Sequence, residues 1–334
     1  MLRSLWEWLV QLDPTLAAAL TAAVVSILGT VLTILSPIGG YLLAKRQLRD
    51  RLKTEYEYEQ RKKLRDLIGC YHGGILQAVE EFNYRMMSLY ASEDEDCPNV
   101  GDDYQGVGSD PNNYYFQTTV HRFLALFVLI RRFESEALYA DSRIADKKDF
   151  EFLKYSRAIL WAATGTHLFS GLAYDVSESK DHFFRDDLRR ACDHSWINGE
   201  GGERFISLDE LRELMGKEEW LNSTLDFFNG LRADEQNRYR WDRLVALHLI
   251  LLAFIKDFGH EFQRPHEETI EDVASEFRNL EVSRNLLNWL PKFGLLQETD
   301  GEQGRLREWP PWLQRAKHSG IHAVAKALKS TSKQ

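Results

Sequence analysis

The chain has 334 residues, 44% apolar and 12% aromatic, which is enough to build a packed core and argues against long-range disorder. Its net charge of −9 is uneven: residues 1–63 carry +3, residues 305–334 carry +6, and the stretch between them carries −18. So acidic a body is a poor match for a phosphate backbone, and no nucleic-acid partner is expected. Cys70, Cys97 and Cys192 are odd in number, far apart and in no metal or redox spacing, which fits reduced thiols and not a secreted disulfide framework.

The first thirteen residues are a short segment in which Trp6 and Trp8 suit the outer headgroup level of a membrane. Residues 14–44 then contain no Asp, Glu, Lys, Arg or His. A bilayer core of about 30 Å needs roughly 20 apolar residues of helix, so this run is expected to span it, with Leu16, Leu20, Val24, Ile27, Leu32, Leu35 and Leu43 facing lipid. The run is longer than the apolar region of a signal peptide, and the stronger basic cluster follows it. Pro37, Gly39 and Gly40 suggest a kink near its end. Lys45, Arg46, Arg49, Arg51 and Lys53 come next and suit an anionic inner leaflet, so we expect the N-terminus outside and the rest cytoplasmic. Small residues four apart (Ala18, Ala22, Ser26, Thr30, and separately Gly29 and Thr33) allow close helix approach in lipid and hence a homo-oligomer.

After the basic juxtamembrane helix (45–63) a first helical domain is expected over 64–200. Leu64, Ile68, Tyr71, Ile75, Ala78, Phe82, Met86 and Leu89 step by three and four, the stripe of a core-packing helix more than of a coiled-coil stalk. Residues 92–113, rich in Asp, Gly and Pro, read as a solvated loop without the spacing of a calcium site. Helices are expected over Tyr114–Ala140 and over Phe150–Tyr174. The second holds Ala158–Tyr174 free of Asp, Glu, Lys and Arg, a buried helix or a second membrane segment. Asn198-Gly-Glu-Gly-Gly202 reads as punctuation before a second helical unit, 201–308. There Leu244–Ile255 is an apolar stretch inside a helix starting near Ala233.

Near the end, Thr269–Ala274, Val282–Leu290, Phe293–Leu296 and Glu298–Gly304 follow the order helix, helix, strand, wing. Residues 269–308 thus resemble a winged-helix module, which implies a small fold packing on protein, since the segment is acidic and Pro291 interrupts its second helix. The basic tail 309–334 suits either an interfacial helix or docking on the acidic body.

Catalytic signals are sparse. If 181–194 is helical, His182, Asp186 and Asp193 come within reach of one face, with His194 at its end, and carboxylate plus imidazole can bind a metal or move a proton. Asp257 and His260 form a second such pair. Arg185, Arg189 and Arg190 neutralise the first set as ordinary helix pairs do. No phosphate-cradling glycine loop, nucleophile elbow or His-Glu-x-x-His occurs, so no cofactor is expected. The expectation is a mainly all-α protein: one transmembrane helix, then a cytoplasmic helical bundle serving interaction or regulation at the inner membrane face. Its partners are membrane lipids and proteins that the sequence does not name. A membrane-perturbing effector, or a tethered hydrolase or metalloenzyme built on the His/Asp clusters, are the alternatives.

Overall fold

A computed structural model describes residues 13–91, 99–101, 104–138, 141–177, 180–199, 201–232, 238–293 and 295. Trp6 and Trp8, the tip of the acidic loop, the wing and the basic tail lie outside them. The described chain is mostly helical: α1 (Pro14–Ala91), α2 (Tyr114–Ala137), α3 (Lys147–Thr164), α4 (Arg185–His194), α5 (Leu208–Leu214), α6 (Asn222–Phe228), α7 (Arg240–Phe258), α8 (Glu267–Ser275) and α9 (Leu280–Trp289). An antiparallel hairpin, β1 (Trp196–Gly199) and β2 (Gly202–Phe205), pairs Trp196 with Phe205 and Gly199 with Gly202.

The chain divides into two compact units, Met1–Lys62 and Lys63–Gln334. In the first, Pro14–Ile34 is long and apolar enough to cross a membrane, and none of it is buried. Leu16, Leu20, Val24, Ile27, Leu32 and Leu43 are all exposed. Leu35 is helical; its side chain is outside the described set. Three threonine hydroxyls in the apolar run bond back to their own helix: Thr21 Oγ1 donates to Ala18 O at 3.0 Å, Thr30 Oγ1 to Ser26 O at 2.8 Å and Thr33 Oγ1 to Gly29 O at 2.6 Å. The helix therefore needs no outside partner for these groups. The helical assignment continues through Pro37, Gly39 and Gly40. Lys45, Arg46, Arg49, Arg51 and Lys53 are exposed, and Lys53 faces Glu57 at 3.9 Å.

The second unit has one continuous core. The 3–4 stripe of α1 from Leu64 to Leu89 is buried in it, apart from the half-buried Tyr71. Phe123 of α2 sits at its centre, 4.5 Å from Phe127, 4.7 Å from Phe183, 5.2 Å from Phe228 and 5.9 Å from Phe82 between ring centroids. Such edge and offset contacts stabilise by roughly 0.5–1.5 kcal/mol each beyond area burial. Helix α7 is buried on all sides from Arg240 to Leu252.

Four expectations change. The glycine-rich segment at 198–202 is the turn of the hairpin, and residues on both sides of it share one core. The apolar run Ala158–Tyr174 is not one helix: α3 ends at Thr164, a 3-10 turn covers Thr166–Phe169, and an irregular segment follows. Helix α7 begins at Arg240, not near Ala233. The acidic loop is tied down where it is described, with Tyr104 and Val107 buried and Gln117 Nε2 donating to Val107 O at 2.6 Å. Of the winged-helix resemblance, α8 and α9 are present as helices, Phe293 closes a 3-10 turn, and the wing is not among the described residues.

Candidate functional site

The expected catalytic residues are dispersed. Helix α4 begins only at Arg185, so His182 lies in the segment before it and shares no helical face with Asp186. His182 is buried and its Nδ1 is hydrogen-bonded to the Tyr174 hydroxyl. Asp186 is 92% exposed in the first turn of α4, where it pairs with Arg189 at 3.3 Å and favours the positive helix end. His194 closes α4 and stacks on Trp220 at 5.5 Å. His260 follows the end of α7 and stacks on Phe262 at 5.6 Å. Asp257, its expected partner, accepts the Tyr155 hydroxyl proton at 2.5 Å instead. Among the described residues no group of three or more His, Cys, Asp or Glu is arranged to hold a metal ion. Burial pushes the Cys192 thiol well above its usual range, which keeps it protonated and unreactive.

Sequence reading passed over Arg240-Trp-Asp-Arg243, the first four residues of α7. Arg240 Nη1 donates to Phe227 O and Asn229 O, both at 2.8 Å, and Nη2 to Gly230 O at 2.9 Å, at the C-terminal end of α6. Trp241 Nε1 donates to Glu276 O, just past α8, at 3.1 Å. Asp242 Oδ1 accepts the N–H groups of Arg278 and Asn279 at 2.7 and 3.1 Å, at the start of α9. Arg243 Nη1 donates to Ala162 O and Ala163 O at 2.8 and 2.9 Å, at the end of α3, while its Nε donates to Asp181 O at 2.9 Å. Cations thus meet helix C-termini and the carboxylate meets an N-terminus, the arrangement that helix dipoles favour. The available signal was a block of charge opening an otherwise wholly apolar helix. These residues are architectural.

The arrangement suited to a ligand lies elsewhere, in a cleft of about 470 Å³ between α2, α3 and α4. Arg131 and Glu134 line it from α2 and Leu138 from just past its end, Leu153 and Arg157 from α3, and Arg189 from α4. Arg131, Glu134 and Arg189 also line a narrow recess whose other walls include Leu160, Leu188 and Cys192. Burial raises the Glu134 carboxyl above its usual range, while Arg157, Arg131, Arg189 and Arg185 pull it back down. Two lining cations also meet exposed acids: Arg131 Nε is 3.6 Å from Asp193, and Arg189 pairs with Asp186. The arginines were visible in the sequence only as a helix-closing pair and as neutralisers of α4. Their convergence depends on three helices packing together.

Comparison with known protein families, with curated proteins and with solved structures finds no match.

Proposed function

We propose that the chain is a single-pass membrane protein, with residues 14–44 in the bilayer, the N-terminus outside and the helical body in the cytoplasm as an interaction or regulatory module. The carrying observation is the wholly unburied apolar segment Pro14–Ile34, in which the Thr21, Thr30 and Thr33 hydroxyls are satisfied within the helix. Leaving a surface this size against water costs far more than a soluble protein tolerates, whereas lipid removes the cost. The basic residues 45–53 support the inward orientation. The small-residue faces at Ala18, Ala22, Ser26 and Thr30 support self-association within the membrane.

Fractionation tests the anchor. The intact 38.8 kDa chain is expected to stay in the carbonate-washed membrane pellet, and Leu28→Arg with Leu32→Arg to release it. A shorter mature product would mark a cleaved signal sequence and overturn the reading. Cys70 is exposed and Cys192 buried, so in a Cys97→Ser background an impermeant maleimide reports orientation. Labelling only after permeabilisation is expected; labelling of intact cells would reverse the topology. A monomeric mass in detergent would remove the oligomer.

A further inference from the structure

We propose that the cleft between α2, α3 and α4 binds a phosphate monoester that carries an apolar body. The inference does not depend on where the protein sits. It starts from charge. The stretch 64–304 has a net charge of −18, yet the cleft wall gathers three arginines and a single carboxylate. The Arg157 side chain is exposed and makes no hydrogen bond or close ion pair among the described residues, acting on Glu134 only through its charge. The Nε of Arg131 is buried and makes no hydrogen bond either, its ion-pair partner Asp193 standing 3.6 Å away. Buried donors are normally satisfied, and an exception needs a reason. Like charges brought together from three helices repel one another, and an anion between them relieves that repulsion.

The anion has a definite character. Within the wall three guanidiniums face one carboxylate, an excess of two positive charges offset only from its rim by the exposed Asp186 and Asp193, and a phosphate monoester carries about −1.5 to −2 at neutral pH with three strong acceptor oxygens. Guanidinium forks match that geometry in pairs. Asp186 and Asp193 hold Arg189 and Arg131 from outside the wall, with their side chains 92% and 61% exposed. Such exposed pairs are weak competitors for a doubly charged ligand. Glu134 would repel the phosphate in direct contact but accepts a hydrogen bond from a neighbouring ligand hydroxyl or amine. Phe133, Ala137, Leu138 and Leu153 supply the apolar wall. The volume falls within the usual range for small-molecule sites, about 300–1,000 Å³.

Phosphate monoesters reach such a site as soluble metabolites or as lipid headgroups, and one titration series separates the two. The full chain in detergent is melted with inorganic phosphate, AMP or short-chain phosphatidic acid. A saturable rise of about 5 °C is expected with at least one of the two esters at high excess over its Kd. A stronger response to AMP marks a soluble ligand, and a stronger response to phosphatidic acid marks a lipid. Arg157→Gln and Arg189→Gln are each expected to weaken binding about tenfold or more. Arg284→Gln, on the exposed side of α9, leaves it unchanged. No saturable response to any of the three probes below about 5 mM overturns the proposal. So does binding that Arg157→Gln and Arg189→Gln both leave intact.

Discussion

Arg243 carries its charge in the core, 1% exposed, and burial lowers its pKa to about 10. Its hydrogen bonds go to backbone carbonyls, so removing it strands several acceptors at once. Arg243→Met is expected to cost about 3–5 kcal/mol in urea melts of the full chain. Two other groups of α7 set a pH dependence. Burial raises Asp242 to about 6, so between pH 4 and 6 the folded state holds more protons there than the unfolded state, and stability falls as pH rises. Burial lowers His248 to about 3, where Asn83 and Tyr90 partner its neutral ring, so between pH 3 and 6.5 stability rises with pH. The two slopes oppose each other. Asp242→Asn is expected to make stability climb more steeply from pH 4 to 6, and His248→Gln to make it flatten or fall, by up to about 1.4 kcal/mol per pH unit each. Unchanged slopes in both variants would refute this.

At the scale of elements, local periodicity was readable and helix ends were not. The α1 stripe and the apolar centre of α7 follow from residue spacing alone. The capping box of α5, where Ser207 N donates to Glu210 Oε2 at 2.7 Å, has a recognisable Ser-x-x-Glu spacing but was not singled out in the sequence. The end of α3 does not follow from spacing: Ala158–Tyr174 stays uncharged throughout, and the break at Gly165 is fixed by carbonyls turned to Arg243, 80 residues away in the case of Ala163. The hairpin strands are four residues each and lack apolar alternation, so only their glycine turn was visible. Gly216 fixes another junction. Its φ is +74°, and a Cβ there would lie 2.3 Å from Tyr104 O, the anchored part of the acidic loop. Gly216→Ala is expected to cost about 2–4 kcal/mol, read as a lower urea midpoint. A change under about 0.5 kcal/mol would mean the loop is not held there.

For the molecule as a whole, the boundary at Lys62/Lys63 separates an unburied apolar helix from a unit with its own core. A fragment beginning at Lys63 is expected to remain soluble without detergent and to melt in one cooperative transition; aggregation on removing detergent would contradict this. A helix long and apolar enough to cross a membrane could be read from a run of 31 uncharged residues, because that property depends on local composition. The arginine cleft could not, because its members come from helices separated in the chain. The capping tetrapeptide 240–243 adds a consequence for biosynthesis. Helix α3 leaves the ribosome with its last carbonyls open, and their partner is translated about 80 residues later. At roughly 5–20 residues per second that is a wait of about 4–16 s. Helices α8 and α9 emerge afterwards and meet a post already standing. Until α7 has been made, the end of α3 therefore lacks the side chain that satisfies its carbonyls, and the nascent chain stays open there to proteases and to misassembly.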